Sequence, residues 1–128
     1  MNNIHWCICG QRATELHHII FRSQNKALEN CTLNHIYLYS NCHRGTYGIH
    51  GKYGHKLDWQ LKLEFQNKLE LLFDKELLTR EEIQEVLKIS DKPLNRLLKT
   101  VERHKGKYVR ESLIRCCMGG KLIVESEE

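Results

Sequence analysis

The feature that most restricts this chain is where its histidines fall. Seven of the eight lie within the first 55 residues: His5, His17, His18, His35, His43, His50 and His55. The residues between them are rich in Cys, Gly and Asn and show few long periodic runs. Such a segment predicts short strands and loops with one short helix. Leu16 to Phe21 is a short apolar run around two adjacent histidines and reads as a strand. Ile36 to Leu38 is its expected partner, with residues 22–34 as the connecting loop.

The pattern changes at Leu57. Leu61, Phe65, Leu69, Leu72 and Phe73 recur at three and four residues, which predicts an amphipathic helix over 58–78. Thr79 with Glu82 three residues on forms a capping box, so a second helix should open at Arg80 with Ile83, Val86 and Leu87 on its apolar face. Ser90 can cap a third helix whose stripe is Leu94, Leu97, Leu98 and Val101, with Pro93 still in the first turn. A fourth is expected from Arg110 to Met118, stopped by Gly119-Gly120, and an acidic tail from Val124 should fray. The fold class expected is α+β, with a histidine-rich module at 1–56, a connecting helix at 57–79 and a helical module at 80–128.

Charge follows the same division. Residues 1–57 hold six Lys/Arg against two Asp/Glu, whereas residues 58–128 hold fourteen of each. A basic, histidine-rich segment suits a polyanionic substrate. No apolar run is long enough to span a bilayer. Met1-Asn2-Asn3-Ile4-His5 does not read as a secretion signal, so the expected compartment is the cytoplasm. There the six cysteines are thiols or metal ligands before they are disulfides.

His17 and His18 are neighbours on the expected strand, so their rings point in different directions and can do different work. Asn34 lies nine residues before His43. The third element is Cys42-His43-Arg44-Gly45, followed by Ile49-His50-Gly51. Glu15-Leu16-His17-His18-Ile19-Ile20, Asn34 and this last segment, in that order, resemble the HNH endonuclease family of ββα-metal nucleases. The likeness covers about the first 56 residues, and the short insertion after Cys42-His43 is similar to small free-standing phage members.

The resemblance implies hydrolysis of DNA phosphodiester bonds with one divalent ion, which Mg²⁺, Mn²⁺, Ni²⁺ or Zn²⁺ would each satisfy. It implies His17 and His43 as metal ligands, His18 as the general base, and Asn34 as the residue holding the loop that orients that base. His50 follows His43 by seven residues rather than the family's four. Seven residues of unbroken helix span about 10 Å, too far for two imidazoles on one ion. Gly45 and Gly48 let the chain loop out and return His50 as a third ligand or a phosphate contact. Arg22 and Arg44 are the arginines best suited to phosphate, because guanidinium offers a fork of donors.

Many HNH proteins also carry two Cys-x-x-Cys pairs around a structural zinc. Here Cys9 and Cys42 match the second cysteine of each pair, and Trp6 and Tyr39 stand in the first positions. The favoured expectation is that the zinc has been lost and Trp6 packs with Tyr39 in its place. The other account is an irregular site of Cys7, Cys9, Cys42 and one further ligand, for which Cys31 is a candidate.

In the second half, Arg80–Lys88, Ile89-Ser90 and Asp91–Arg103 resemble a helix-turn-helix. Residues 96–115 hold seven Lys/Arg and two Asp/Glu. Asn95, Arg96, Lys99 and Arg103 fall opposite the leucines, where they would reach DNA. A plain helical bundle with solvated charges would share the pattern. The rival function is a binding protein: an HNH scaffold reused to hold a protein partner, as a phage anti-defence inhibitor would.

Overall fold

The computed structural model describes residues 4–124; most of the acidic tail expected to fray lies outside them. The first half contains two antiparallel strand pairs. β1 (His5–Trp6) pairs with β2 (Arg12–Ala13), and β3 (Glu15–His18) pairs with β4 (His35–Leu38), with His17 opposite Ile36 and His18 opposite His35. Between β3 and β4 the chain makes tight helical turns at Lys26–Leu28 and Thr32–Asn34. α1 (Ser40–Arg44) follows β4 directly.

After α1 comes a glycine-paced coil. Gly45, Gly48, Gly51 and Gly54 recur at every third residue. The amides of Gly48, Gly51 and Gly54 each donate to the carbonyl of the preceding glycine, at 2.9, 2.8 and 3.2 Å. Ile49, His50 and Tyr53 donate seven residues back, to Cys42, His43 and Thr46, at 3.0, 2.9 and 2.7 Å. A side chain at Gly51 would collide with the carbonyl oxygen of Gly45, and one at Gly54 with that of Gly48. The coil therefore brings His50 back beside His43, as the sequence suggested.

α2 (His55–Leu72) buries Leu61, Phe65 and Leu69 and ends at Phe73. It starts three residues earlier and stops six residues sooner than the periodicity predicted. The stop has a visible cause: the Arg110 guanidinium donates to the carbonyls of Glu70 (2.7 Å) and Phe73, closing the helix end. Leu72 is consequently not in the core but 42% exposed.

β5 (Leu77–Leu78), α3 (Arg80–Leu87), α4 (Asp91–Leu98), β6 (Arg103–His104), β7 (Lys107–Val109) and α5 (Arg110–Cys117) complete the chain. The expected capping box is present: Glu82 N–H donates to the Thr79 hydroxyl (3.1 Å) and Thr79 N–H to the Glu82 carboxylate (2.9 Å). α4 ends at Leu98, not at Arg103. Val101 N–H donates to the Leu98 carbonyl at 3.3 Å, a tight turn that keeps Val101 in the core while the chain leaves the helix. Arg103 therefore sits on a strand, not on the helical face where its spacing puts it. The hairpin β6–β7 adds to β5 in the order β5-β7-β6, and nothing in the helical periodicity signalled it.

The two halves meet through buried contacts. Cys31 Sγ donates to the Leu87 carbonyl at 3.3 Å, and Asn25 Nδ2 to the Cys116 carbonyl at 2.8 Å. α4 packs on the Lys26–Leu28 turn, where Ala27 and Leu28 are buried. All six cysteines are free thiols. Among the described residues, no helix is long and apolar enough to cross a membrane.

Candidate metal centre

Three elements converge on one point. β3 supplies His17, α1 supplies His43, and the glycine coil supplies His50. Their ring centroids lie 5.0, 5.2 and 4.7 Å apart, and a ring nitrogen from each falls within 4.8 Å of the others. They line an open cleft of about 440 Å³ together with Leu16, His18, Phe21, Arg22 and Ser23.

The donor set fits a divalent cation. His17 is 2% exposed, and its Nε2 is buried with no hydrogen-bond partner. A buried polar atom left unpaired is costly, and a lone pair facing two other imidazoles suits a metal bond. Burial, then the neighbouring His43 and His50, push the His17 pKa down to about 3. The His50 pKa is lowered too, again by burial first and His43 second. Both rings are thus held in the neutral form that a ligand needs.

His43 is oriented from behind. Its Nδ1 donates to Glu15 Oε1 at 2.8 Å, leaving Nε2 for a metal. Glu15 also binds Arg44, whose Nε donates to Oε1 at 3.1 Å and whose Nη2 donates to Oε2. Hydrogen bonds from His43, then Arg44, hold the Glu15 carboxyl below its usual pKa. Arg44, expected at a phosphate, is in this structure a clamp on Glu15 at the exposed rim.

His18, the next residue on the strand, is not in the three-histidine cluster but lines the same cleft. Its Nε2 lies 2.9 Å from the Glu29 carbonyl, which also takes His35 Nε2 at 2.8 Å. A carbonyl only accepts, so each of these nitrogens carries a proton. In neutral His18, Nδ1 then keeps its lone pair. Asn34 fixes the loop that carries this carbonyl. Its Oδ1 accepts from Ile20 N–H at 2.7 Å, and its Nδ2 donates to the carbonyls of Ile20 (3.1 Å) and Leu28 (3.3 Å). Asn34 is fully buried and is not among the residues lining the cleft.

A second cluster gathers Cys7, Cys9 and Cys42, whose sulfurs also lie within 4.8 Å of one another. The expected aromatic replacement is not there. Trp6 is 68% exposed, and of the three thiols Cys7 is buried, Cys42 half-buried and Cys9 exposed. Burial works to raise the Cys7 pKa, but backbone donors at Cys9 and Tyr39 and thiol donors at Cys9 and Cys42 bring it below the ordinary value. Burial and the two neighbouring sulfurs push Cys42 up to about 12. Three converging sulfurs are a natural set of donors for a soft cation, which would displace their protons. Cys31 is not part of it; its thiol faces Leu87.

Of the residues expected on DNA, Arg22 lines the cleft. Asn95 and Arg96 are exposed on α4 and Lys99 at its end, and Arg103 lies over the Tyr108 ring at 5.1 Å. Arg96 shares a groove with Gln24 and Asn25, a short step along the chain from Arg22. Sequence reasoning missed the roles of Glu15 and His35. The first was readable, since Glu15 and His17 are two apart on a strand and share a face; the second required knowing the β3–β4 register.

No family model, curated protein or solved structure matches this chain.

Proposed function

We propose that this protein is a metal-dependent nuclease that hydrolyses DNA phosphodiester bonds in the cleft between β3, α1 and the glycine coil. The observation that carries this reading is the division of labour at His17 and His18. His17 offers an unpaired, neutral, buried nitrogen beside His43 and His50. His18, the next residue, has one nitrogen tied to a backbone carbonyl and lines the same cleft.

A divalent ion held by His17, His43 and His50 would neutralise charge building on the phosphoryl group and its leaving oxygen. His18 Nδ1 takes a proton from water, and the Glu29 carbonyl stabilises the imidazolium through Nε2–H. Asn34 keeps that carbonyl in place, and Glu15 keeps His43 in its ligand tautomer. Arg22 binds a phosphate next to the one attacked, and Asn95, Arg96 and Lys99 extend the contact to the second half of the chain. Cys7, Cys9 and Cys42 would hold a separate structural cation, for which sulfur donors favour zinc.

The test is relaxation of supercoiled plasmid by the purified full chain with Mg²⁺, Mn²⁺ or Ni²⁺, each with and without chelator. Metal-dependent nicking supports the reading. Absence of nicking with every ion, from folded protein that binds metal, contradicts it.

A further inference from the structure

The β6–β7 hairpin carries four basic side chains in five residues: Arg103, His104, Lys105 and Lys107, all exposed, around Gly106. Its two-residue turn is Lys105-Gly106, both with positive φ, at 54° and 79°. That turn type favours Asn or Gly at its first position. A lysine there adopts a conformation that L side chains avoid. A sterically poor lysine at the outermost point of a hairpin, with basic neighbours on both strands, is a reason to look for a ligand of opposite charge. The hairpin itself is rigidly based: β7 pairs with β5 through Leu78 and Tyr108, and Arg103 lies against Tyr108. It emerges four residues after α4, whose exposed Asn95 and Arg96, with Lys99 at its end, are the candidate contacts to DNA.

We propose that this hairpin is a second grip on duplex DNA, its tip lysines touching the phosphate backbone beside the segment held by α4. The inference rests on the nuclease reading for its choice of ligand. A regular array of phosphates is the anion that suits charges spread along a strand pair, and contacts of this kind hold register without reading sequence.

The test uses the full chain carrying His18→Ala, so that bound DNA stays intact. Affinity for a short duplex is measured by fluorescence anisotropy across a salt series, before and after Lys105→Asn with Lys107→Gln. Asparagine suits the turn better than lysine, so the double variant should melt no lower than its parent. Its affinity should fall about eightfold at 0.1 M salt for each phosphate the tip no longer neutralises, with the log–log salt slope flattened by about 0.9 per phosphate. Lys105→Arg should keep both. Unchanged affinity and slope in the double variant overturn the proposal, as does tighter binding of the parent to an RNA hairpin than to duplex DNA. If the unsubstituted chain nicks plasmid and the double variant binds DNA like its His18→Ala parent, only the hairpin's role falls. If the unsubstituted chain does not cut DNA and the His18→Ala parent does not bind it, the nuclease reading falls with it.

Discussion

The histidine and cysteine clusters are built from adjacent residues of the same short helix, yet they are set up for different work. Cys42 and His43 are neighbours on α1, and side chains one residue apart on a helix point about 100° away from each other. One turn of helix thus serves both sites. The histidine cluster opens onto a cleft, holds His17 neutral through burial and leaves its Nε2 unpaired. The cysteine cluster crosslinks the β1–β2 hairpin to α1 through sulfurs that accept N–H and thiol hydrogen bonds. What separates them is access and ligand basicity, not the number of donors. An open set of imidazoles suits chemistry, and a set of thiols tying two elements together suits folding.

The sharpest way to break this comparison is to remove one donor from each. His17→Ala should abolish metal-dependent cleavage and weaken divalent-ion binding in calorimetry, while the protein keeps its far-UV circular dichroism. If the cysteine cluster holds a structural ion, Cys42→Ser should do the reverse: loss of that ion in metal analysis of the purified protein, a lower melting temperature, and residual cleavage from the molecules still folded. Equal loss of cleavage and of fold in both variants would mean that the two clusters form one structural unit.

A smaller effect is expected at Glu15, which binds His43 and Arg44 and, of the two clusters, touches only the histidines. Glu15→Gln keeps the shape but weakens the acceptor behind His43. Orienting partners of this kind typically change metal affinity or activity by about 10- to 100-fold. Zinc in the cysteine cluster should be unaffected, and a change there would show that α1 transmits between the sites.

Asn34→Ala should be milder in rate and plainer in stability. It strands the buried Ile20 N–H, at a cost of about 1–3 kcal/mol in chemical unfolding. Cleavage should drop because the Glu29 carbonyl loosens, while calorimetry should find metal affinity unchanged. Weakened metal binding in this variant would place Asn34 nearer the ion than its hydrogen bonds do.

Part of this architecture is legible in the amino-acid order alone. The order His17, His18, Asn34, His43, His50 is compact in sequence, and the strand carrying the first two and its partner, which follows Asn34, come from short apolar runs. The helices after residue 79 are readable because Thr79, Ser90 and Gly119 mark their ends. Other features depend on contacts that sequence does not display. α2 stops where Arg110, about 40 residues on, reaches its last carbonyls. The β6–β7 hairpin hides within a basic stretch whose leucine stripe runs on through Val101. Cys7 lies one residue out of the expected register, and only the fold of the β1–β2 hairpin brings its sulfur to Cys42. Trp6 is a core aromatic by residue type and stands outside by strand position.

Whether His18 activates water while other residues hold the ion is decided by comparing plasmid nicking and divalent-ion calorimetry of the full chain with those of His18→Ala. Loss of a general base costs about 10²- to 10⁴-fold in rate. The account predicts a fall of that size in nicking, with metal affinity and melting temperature essentially those of the parent. Nicking at the parent's rate would remove His18 from the chemistry. Folded, metal-bound parent and variant that both bind DNA and never cut it would mean the cleft is a scaffold reused for binding.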